Sequence, residues 1–434
     1  MQIEIRNNAL RTAVVALEVA VFAFALVWIA KTYFGTLVAE RPTAANLNSA
    51  ARLDPGNADY ALNMGRLYEY SVMNARPNLA KKELLRAVEL NPYNAQAWLD
   101  LGTDLELQGD NARAEICLRR VDQLAPRIPK YQWAIGNFYL LHGSVDEAFR
   151  HFKMVLAGNP GYAQAIYSTA WRASGDAGKI LSELIPEDAG SELNYLNYLL
   201  GVHHLDDAGP VWDRIAKSSG KFDPAQASPY MDALIGAHQA AEAYAVWSVL
   251  RAKGLIPATD EATPRNLVEN GDFENRLLGI GFDWRVAQVN GVYVGLDESN
   301  FHSPAHSLLI QFPGTQNFEY HNIYEFVPVL PNYRYQLLGF VKTEKITTDS
   351  GVRLEVRDAY NPALLDKYTG QITGTSPSWL PLSVEFKTPP QTNLVLIIIA
   401  RQASQKLDNQ IAGKAWVDDV SLASMSSQNS SAGF

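Results

Sequence analysis

A single cysteine, Cys117, stands in 434 residues, so the chain has neither an internal disulfide nor a thiolate metal site to hold it together. Positive charge is also in deficit. The 37 Lys and Arg against 46 Asp and Glu leave a net charge of -9, which argues against the clustered basic surface that phosphate backbones require. The signatures G-x-S-x-G, H-E-x-x-H and G-x-x-x-x-G-K are missing. The eight histidines are scattered apart from the pair His203 and His204, which point different ways on a helix. Neither a hydrolase, a zinc centre nor a nucleotide-binding loop is expected, and the chain is read as non-enzymatic. What is present is globular: 47% hydrophobic and 19% charged residues, over a length that suggests two or three folded units.

The longest apolar run, Thr12 to Ala30, is flanked by Arg6, Arg11 and Lys31; extended through Phe34 it is long enough to cross about 30 Å of hydrocarbon. No clean small-x-small cleavage site follows it, so residues 12–34 are read as an uncleaved transmembrane helix behind a cytoplasmic tail, 1–11. The flanking positive charges nearly balance and do not orient it by themselves. Glu18 lies inside the run. Either it reaches back toward the interface or is protonated there, or it meets a partner helix.

The middle of the chain repeats itself every 34 residues. Pro92, Pro126 and Pro160 keep this spacing, as do Gly102 and Gly136, Gly109 and Gly143, and Ala80, Ala114 and Ala148. A three-residue insertion between Met73 and Asn78 accounts for the longer step from Pro55 to Pro92. The set Trp98, Leu101-Gly102, Ala114, Leu118, Val121 and Pro126 resembles the tetratricopeptide repeat, with Leu118 and Val121 in place of that family's later aromatic and alanine. Neighbouring units follow with Ile135-Gly136, Tyr139, Ala148, Phe152, Val155 and Pro160, and with Met64-Gly65, Tyr68, Ala80, Leu84, Ala87 and Pro92. The resemblance implies an all-α solenoid, read as 42–254 although the register decays beyond Pro160, with a protein partner on its concave surface. The aromatics Trp98, Tyr131, Trp133, Tyr162 and Tyr167 are assigned to packing between helices.

Two prolines and a charge cluster mark a linker, 255–265, after which the period changes from helical to alternating. Eight runs then read as strands: Val292–Gly295, His306–Phe312, Ile323–Val329, Tyr333–Thr343, Val352–Arg357, Leu380–Phe386, Leu394–Ala400 and Ala415–Leu422. They predict an antiparallel two-sheet sandwich over 266–423, followed by a polar disordered tail, 424–434. The opening N-L-V-E-N-G-D-F-E from Asn266, the segment S-P-A-H-S-L-L-I from Ser303 and the closing W-V-D-D-V-S-L from Trp416 resemble the jelly-roll carbohydrate-binding modules of bacterial polysaccharide-degrading enzymes. In that family the opening Glu and a closing Asp help hold a structural calcium, which would fall here on Glu274 and either Asp418 or Asp419. Asp418 is read as sharing a strand face with Trp416, Val420 and Leu422, where its carboxylate needs either a metal or backbone hydrogen bonds.

Sugars pack their C–H faces on aromatic rings and their hydroxyls on polar groups. The segment Q-N-F-E-Y-H-N-I-Y supplies both. By alternation Phe318, Tyr320 and Tyr324 share a face with Asn322 between them, while Glu319, His321 and Ile323 face the other way; that face is read either as a glycan contact or as core. Tyr360 and Tyr368 flank a nearby loop, and Trp284 is assigned to the core. Together these features predict a single-pass adaptor of the bacterial inner membrane with the bulk of its chain in the periplasm. Its repeats would hold a protein and its jelly roll a glycan, in surface-polysaccharide synthesis, export or attachment. The alternative is a structural assembly protein whose jelly roll makes protein contacts only.

Overall fold

The computed structural model describes residues 8–70, 75–258 and 266–425. The start of the expected cytoplasmic tail, part of the insertion after Met73, most of the linker and nearly all of the C-terminal tail lie outside the described residues. The chain divides into two compact units, 1–186 and 187–434, so the stretch read as one solenoid is shared between them.

Among the described residues, the regular structure of the first unit is all helical. Helix α1 (Asn8–Ala39) is long and apolar enough to cross a membrane, and its apolar stretch is unburied. Its last turns are different. Gly35 is buried where a Cβ would meet the Tyr60 hydroxyl, so the end of α1 packs with α2 (Ala44–Leu53) and α3 (Ala58–Tyr70). Antiparallel pairs follow: α3 with α4 (Pro77–Leu90), α5 (Ala95–Leu107) with α6 (Asn111–Leu124), and α7 (Pro129–Leu141) with α8 (Val145–Gly158). Asn94 and Asp110 cap α5 and α6 by accepting amide hydrogen bonds from the first turn, which satisfies donors the helix itself leaves free. Short helices α9 (Ala163–Ser174) and α10 (Ala177–Lys179) close the unit.

The 34-residue repeat has a steric cause. Gly136 of α7 lies so close to Phe152 of α8 that a Cβ would sit 2.5 Å from the ring, and the facing Ala148 is fully buried. Gly143, with φ of +77°, makes the left-handed turn between the two helices, as Gly109 does one repeat earlier. The turn and the close approach therefore recur together.

The second unit begins with four helices, α11 (Ala189–Gly201), α12 (Ala208–Lys217), α13 (Ser228–Gly236) and α14 (Ala240–Ala252). Ten strands follow: β1 (Arg285–Val286), β2 (Tyr293–Asp297), β3 (Ser307–Pro313), β4 (Tyr320–Pro328), β5 (Arg334–Glu344), β6 (Arg353–Asp358), β7 (Asp366–Tyr368), β8 (Leu380–Lys387), β9 (Leu394–Arg401) and β10 (Ala412–Ser424). They form two antiparallel sheets, ordered β1-β4-β9-β6-β7 and β2-β3-β10-β5-β8. All eight expected strands are present; β1 and β7, of two and three residues, are additional. The inner faces meet around Leu308, Ile310, Leu337, Leu354, Ile397 and Val417, with Trp284 fully buried among them as expected. Helices α13 and α14 belong to this unit through side chains. Tyr244 and Trp247 meet Phe282 edge-on, Arg251 bonds Glu269 at 2.5 Å, and Asp232 bonds Arg285 at 2.6 Å.

The close approach at Gly136 makes a direct test. Replacing it with Val forces the Phe152 ring aside and is expected to cost about 1–3 kcal/mol, the range for overpacking a filled interior. Urea unfolding of the detergent-solubilised chain measures it; an unchanged midpoint would mean that the helices separate without penalty.

Candidate functional site

The outer face of the β1-β4-β9-β6-β7 sheet carries the charged and aromatic groups that best suit ligand binding. Register places Arg285, Tyr324, Ile398, Glu355 and Tyr368 in one row across all five strands. The adjacent row is Phe326, Leu396, Arg357 and Asp366, and Ala400 pairs with Arg353 on the other side. Alternation in R-L-E-V-R sends Leu354 and Val356 into the core and Arg353, Glu355 and Arg357 outward.

Glu355 anchors this face. Its side chain is fully buried, yet Arg353 donates to Oε1 through Nε at 2.8 Å and also through Nη2, while Arg357 Nη2 donates to Oε2 at 2.5 Å. Two guanidinium groups thus compensate one carboxylate and are held flat by it. The Arg353 guanidinium lies 4.2 Å from the centroid of the Tyr368 ring, which is 58% exposed. Arg357 also reaches His321 Nε2 at 3.0 Å. A ring open to solvent beside fixed donors and acceptors can stack a sugar C–H face and bond its hydroxyls.

The aromatic segment expected to mark a glycan surface is divided. A register shift between Tyr320 and Ile323 breaks the alternation that would have kept its residues together. Phe318 and Tyr320 point into the core, 7% and 1% exposed, and the Tyr320 hydroxyl finds no hydrogen-bond partner among the described residues; burial pushes its pKa up. Neither ring offers a face to a ligand. Tyr324 emerges on the outer face, half-buried, with its ring 5.9 Å from Phe326, and Asn322 is half-buried in the shifted stretch. Sequence reasoning missed Arg353, Glu355 and Arg357, although three charges at alternate positions of a strand were a legible signal. For Tyr368 the sequence indicates only the flank of a loop.

The carboxylates expected to hold calcium have other partners. Glu274 accepts from the His306 amide at 2.8 Å, and the His306 ring lies 3.3 Å from its second oxygen. Asp418, fully buried, accepts from the amides of His302, Ser303 and Asp419 at 2.7, 3.0 and 2.7 Å; burial pushes its pKa up to about 6 against those amides. Asp419 faces His302 Nδ1 at 2.5 Å. A second register shift, between Asp418 and Ser421, also corrects the expected strand face. Val420 and Leu422 enter the core, whereas Trp416 and Asp418 lie on the opposite side. Among the described residues no group of three or more His, Cys, Asp or Glu side chains gathers as a metal site. The oxygens of Glu274 and Asp418 are spent on N–H donors, so the arrangement does not fit a resident calcium and no role is derived from one.

A different carboxyl group lies deeper. Glu325 faces the core from β4, fully buried, accepting from the Glu269 amide at 2.7 Å through one oxygen while the other has no partner among the described residues. Asp283 is also buried, and its pKa is pushed up to about 6 by burial. A cavity of about 460 Å³ between α14 and the loop that opens the sandwich is lined by Asp283, Arg251 and Glu269, and also by Ala258 and Asn266, which bound the undescribed segment 259–265.

No family profile and no curated protein matches the sequence. Among solved structures, the chain is similar to the CBM22-1 and GH10 modules of Clostridium thermocellum xylanase 10B, complexed with xylohexaose. The identity there is 16%, over 39% of this chain and 30% of that one, with a TM-score of 0.27. The CBM22-1 xylan-binding domain of Paenibacillus barcinonensis Xyn10C matches 37% of this chain and 91% of its own at 14% identity and a TM-score of 0.23. Pseudomonas aeruginosa PilF matches 52% of this chain and 92% of its own at 17% identity and a TM-score of 0.28. The chain thus spans under a third of the length of the xylanase it resembles. These are likenesses of fold, and the class of protein they accompany is the one the architecture itself defines: helical repeats followed by an antiparallel β-sandwich.

Glu325 supplies a test by pH. Burial, with the Asp283 and Glu269 carboxylates nearby, raises its folded pKa well above the unfolded value of about 4.3. The folded chain keeps a proton that the unfolded chain has released, so this contribution to stability is full below about pH 4.3 and is lost as pH rises. Glu325→Gln keeps the acceptor for the Glu269 amide and cannot ionise. The native chain is expected to lose stability relative to the variant as pH rises above about 4.3; parallel melting curves at every pH would contradict this.

Proposed function

We propose that the chain is a membrane-anchored, non-catalytic adaptor whose repeats hold a protein partner and whose sandwich holds a glycan on the outer face of the β1-β4-β9-β6-β7 sheet. The observation that carries the reading is the exposed Tyr368 ring beside the Arg353–Glu355–Arg357 array. With Asp366 3.3 Å from Arg357, the two cations of the array are balanced by two carboxylates, which suits a hydroxyl-rich ligand. Placement of α1 in the bacterial inner membrane, with the bulk of the chain periplasmic, suits work on surface polysaccharide during synthesis, export or attachment.

Binding of oligosaccharides to the detergent-solubilised chain tests the glycan half. Tyr368→Ala removes an exposed ring, so it is expected to weaken binding at least tenfold, about 1.4 kcal/mol, with the melting temperature unchanged. Equal affinity in native and variant chains would remove this face from the reading. A chain that binds no glycan while self-associating would favour structural assembly.

Topology is tested separately. Protease added to spheroplasts is expected to digest the chain beyond α1, and full protection would reverse the orientation. A mature form beginning near Glu40 would show that α1 is removed.

A further inference from the structure

Resting on the glycan reading above, we infer that the α13–α14 hairpin forms a side wall of the sugar-binding surface. A linear glycan is then gripped between a sheet floor and a helical wall, with Asp232 and His238 as wall residues. The hairpin reaches the sheet at two places far apart along its width. At β1, Asp232 of α13 bonds Arg285 at 2.6 Å, and the Arg285 guanidinium lies 5.1 Å from the centroid of the outward-facing Phe326 ring. At the end of β6, His238 from the turn between α13 and α14 stacks on Tyr360, with centroids 4.0 Å apart and planes 11° apart.

These two points bracket β1, β4, β9 and β6, three strand spacings or roughly 14 Å. Along this line the sheet is closed: Leu394 of β9 faces outward with Pro328 as its neighbour and is nevertheless fully buried. One row further on, Phe326, Leu396 and Arg357 are half-buried, and beyond them lies the row of Tyr324, Glu355 and Tyr368. Asp232 and His238 both remain exposed. A trough that runs across the strands beside such a wall is longer than one sugar ring. It takes an internal stretch of a linear polysaccharide lying parallel to the hairpin. A carboxylate and an imidazole are placed where they meet hydroxyls that the floor does not reach.

Affinity as a function of chain length tests this on the full detergent-solubilised protein, using cello-, xylo- and manno-oligosaccharides from disaccharide to hexasaccharide. The native chain is expected to gain affinity with length. Tyr368→Ala, in the floor, should weaken every length together. Asp232→Ala and His238→Ala should lower hexasaccharide affinity about tenfold while leaving the disaccharide unchanged, with Asp232→Asn recovering part of the loss. Melting curves of the wall variants confirm their fold. If both wall variants bind every length as the native chain does while Tyr368→Ala binds none, the wall is overturned and the glycan reading stands. If the native chain binds no member of the panel, both fall together.

Discussion

Between Tyr320 and Ile323 the ladder joining β4 to β9 slips out of register, and the surface of the sandwich depends on that slip. Because side chains alternate across a strand, one inserted residue exchanges inside for outside in all that follows. Tyr320 before the shift fills the core; Tyr324 after it joins Glu355 and Tyr368 on the outer face. The same device in β10 turns Val420 and Leu422 inward and leaves Asp418 beneath the His302–Ser303 amides. Each shift moves a chemically active side chain from one environment to the other without altering the sheet order.

Buried charge in the sandwich is handled in three ways. Glu355 is met by two arginines, of which Arg357 also pairs with Asp366, so its carboxylate is compensated and held in place. Arg401, fully buried, has no carboxylate in hydrogen-bond contact among the described residues; its guanidinium donates to the carbonyls of Phe318 and Ser350, to Asn317 and to Thr348, tying separate loops to one strand end. Glu325 is met by a single amide, and burial raises its pKa, which favours the protonated form over an unpaired charge. The compensated group lies on the face proposed for binding, where fixed charges shape a surface. Glu325 lies in the core, where a raised pKa favours its neutral form.

The two ends of the helical region serve different neighbours. At the N-terminal end, α1 passes from an apolar, unburied stretch into close packing at Gly35, so the helix that is able to cross a membrane is also the first packed helix of the array. At the other end, α13 and α14 place Asp232, His238, Tyr244 and Trp247 against the sandwich, and their outer surfaces become part of what that unit presents. Helices α13 and α14, which meet the sandwich, are released from the glycine and alanine spacing that helix pairs require.

Local chemistry made much of this legible in the chain. The period of proline, glycine and alanine named the helical pairs because each position answers a steric demand within one repeat, and alternating runs between turn residues located eight strands. Trp284 was recognisable as core. The two register shifts were not, because a bulge is set by the partner strand and leaves the local alternation looking intact. For that reason Phe318 and Tyr320 read as companions of Tyr324, and Asp418 as a companion of Val420 and Leu422. Strands β1 and β7 are too short to show a period of their own and exist only as additions to β4 and β6. The row of Arg285, Tyr324, Glu355 and Tyr368, and the helical hairpin beside it, bring together residues far apart in sequence. Only the pairing of antiparallel strands and the packing of helices on the sheet decided that they would meet.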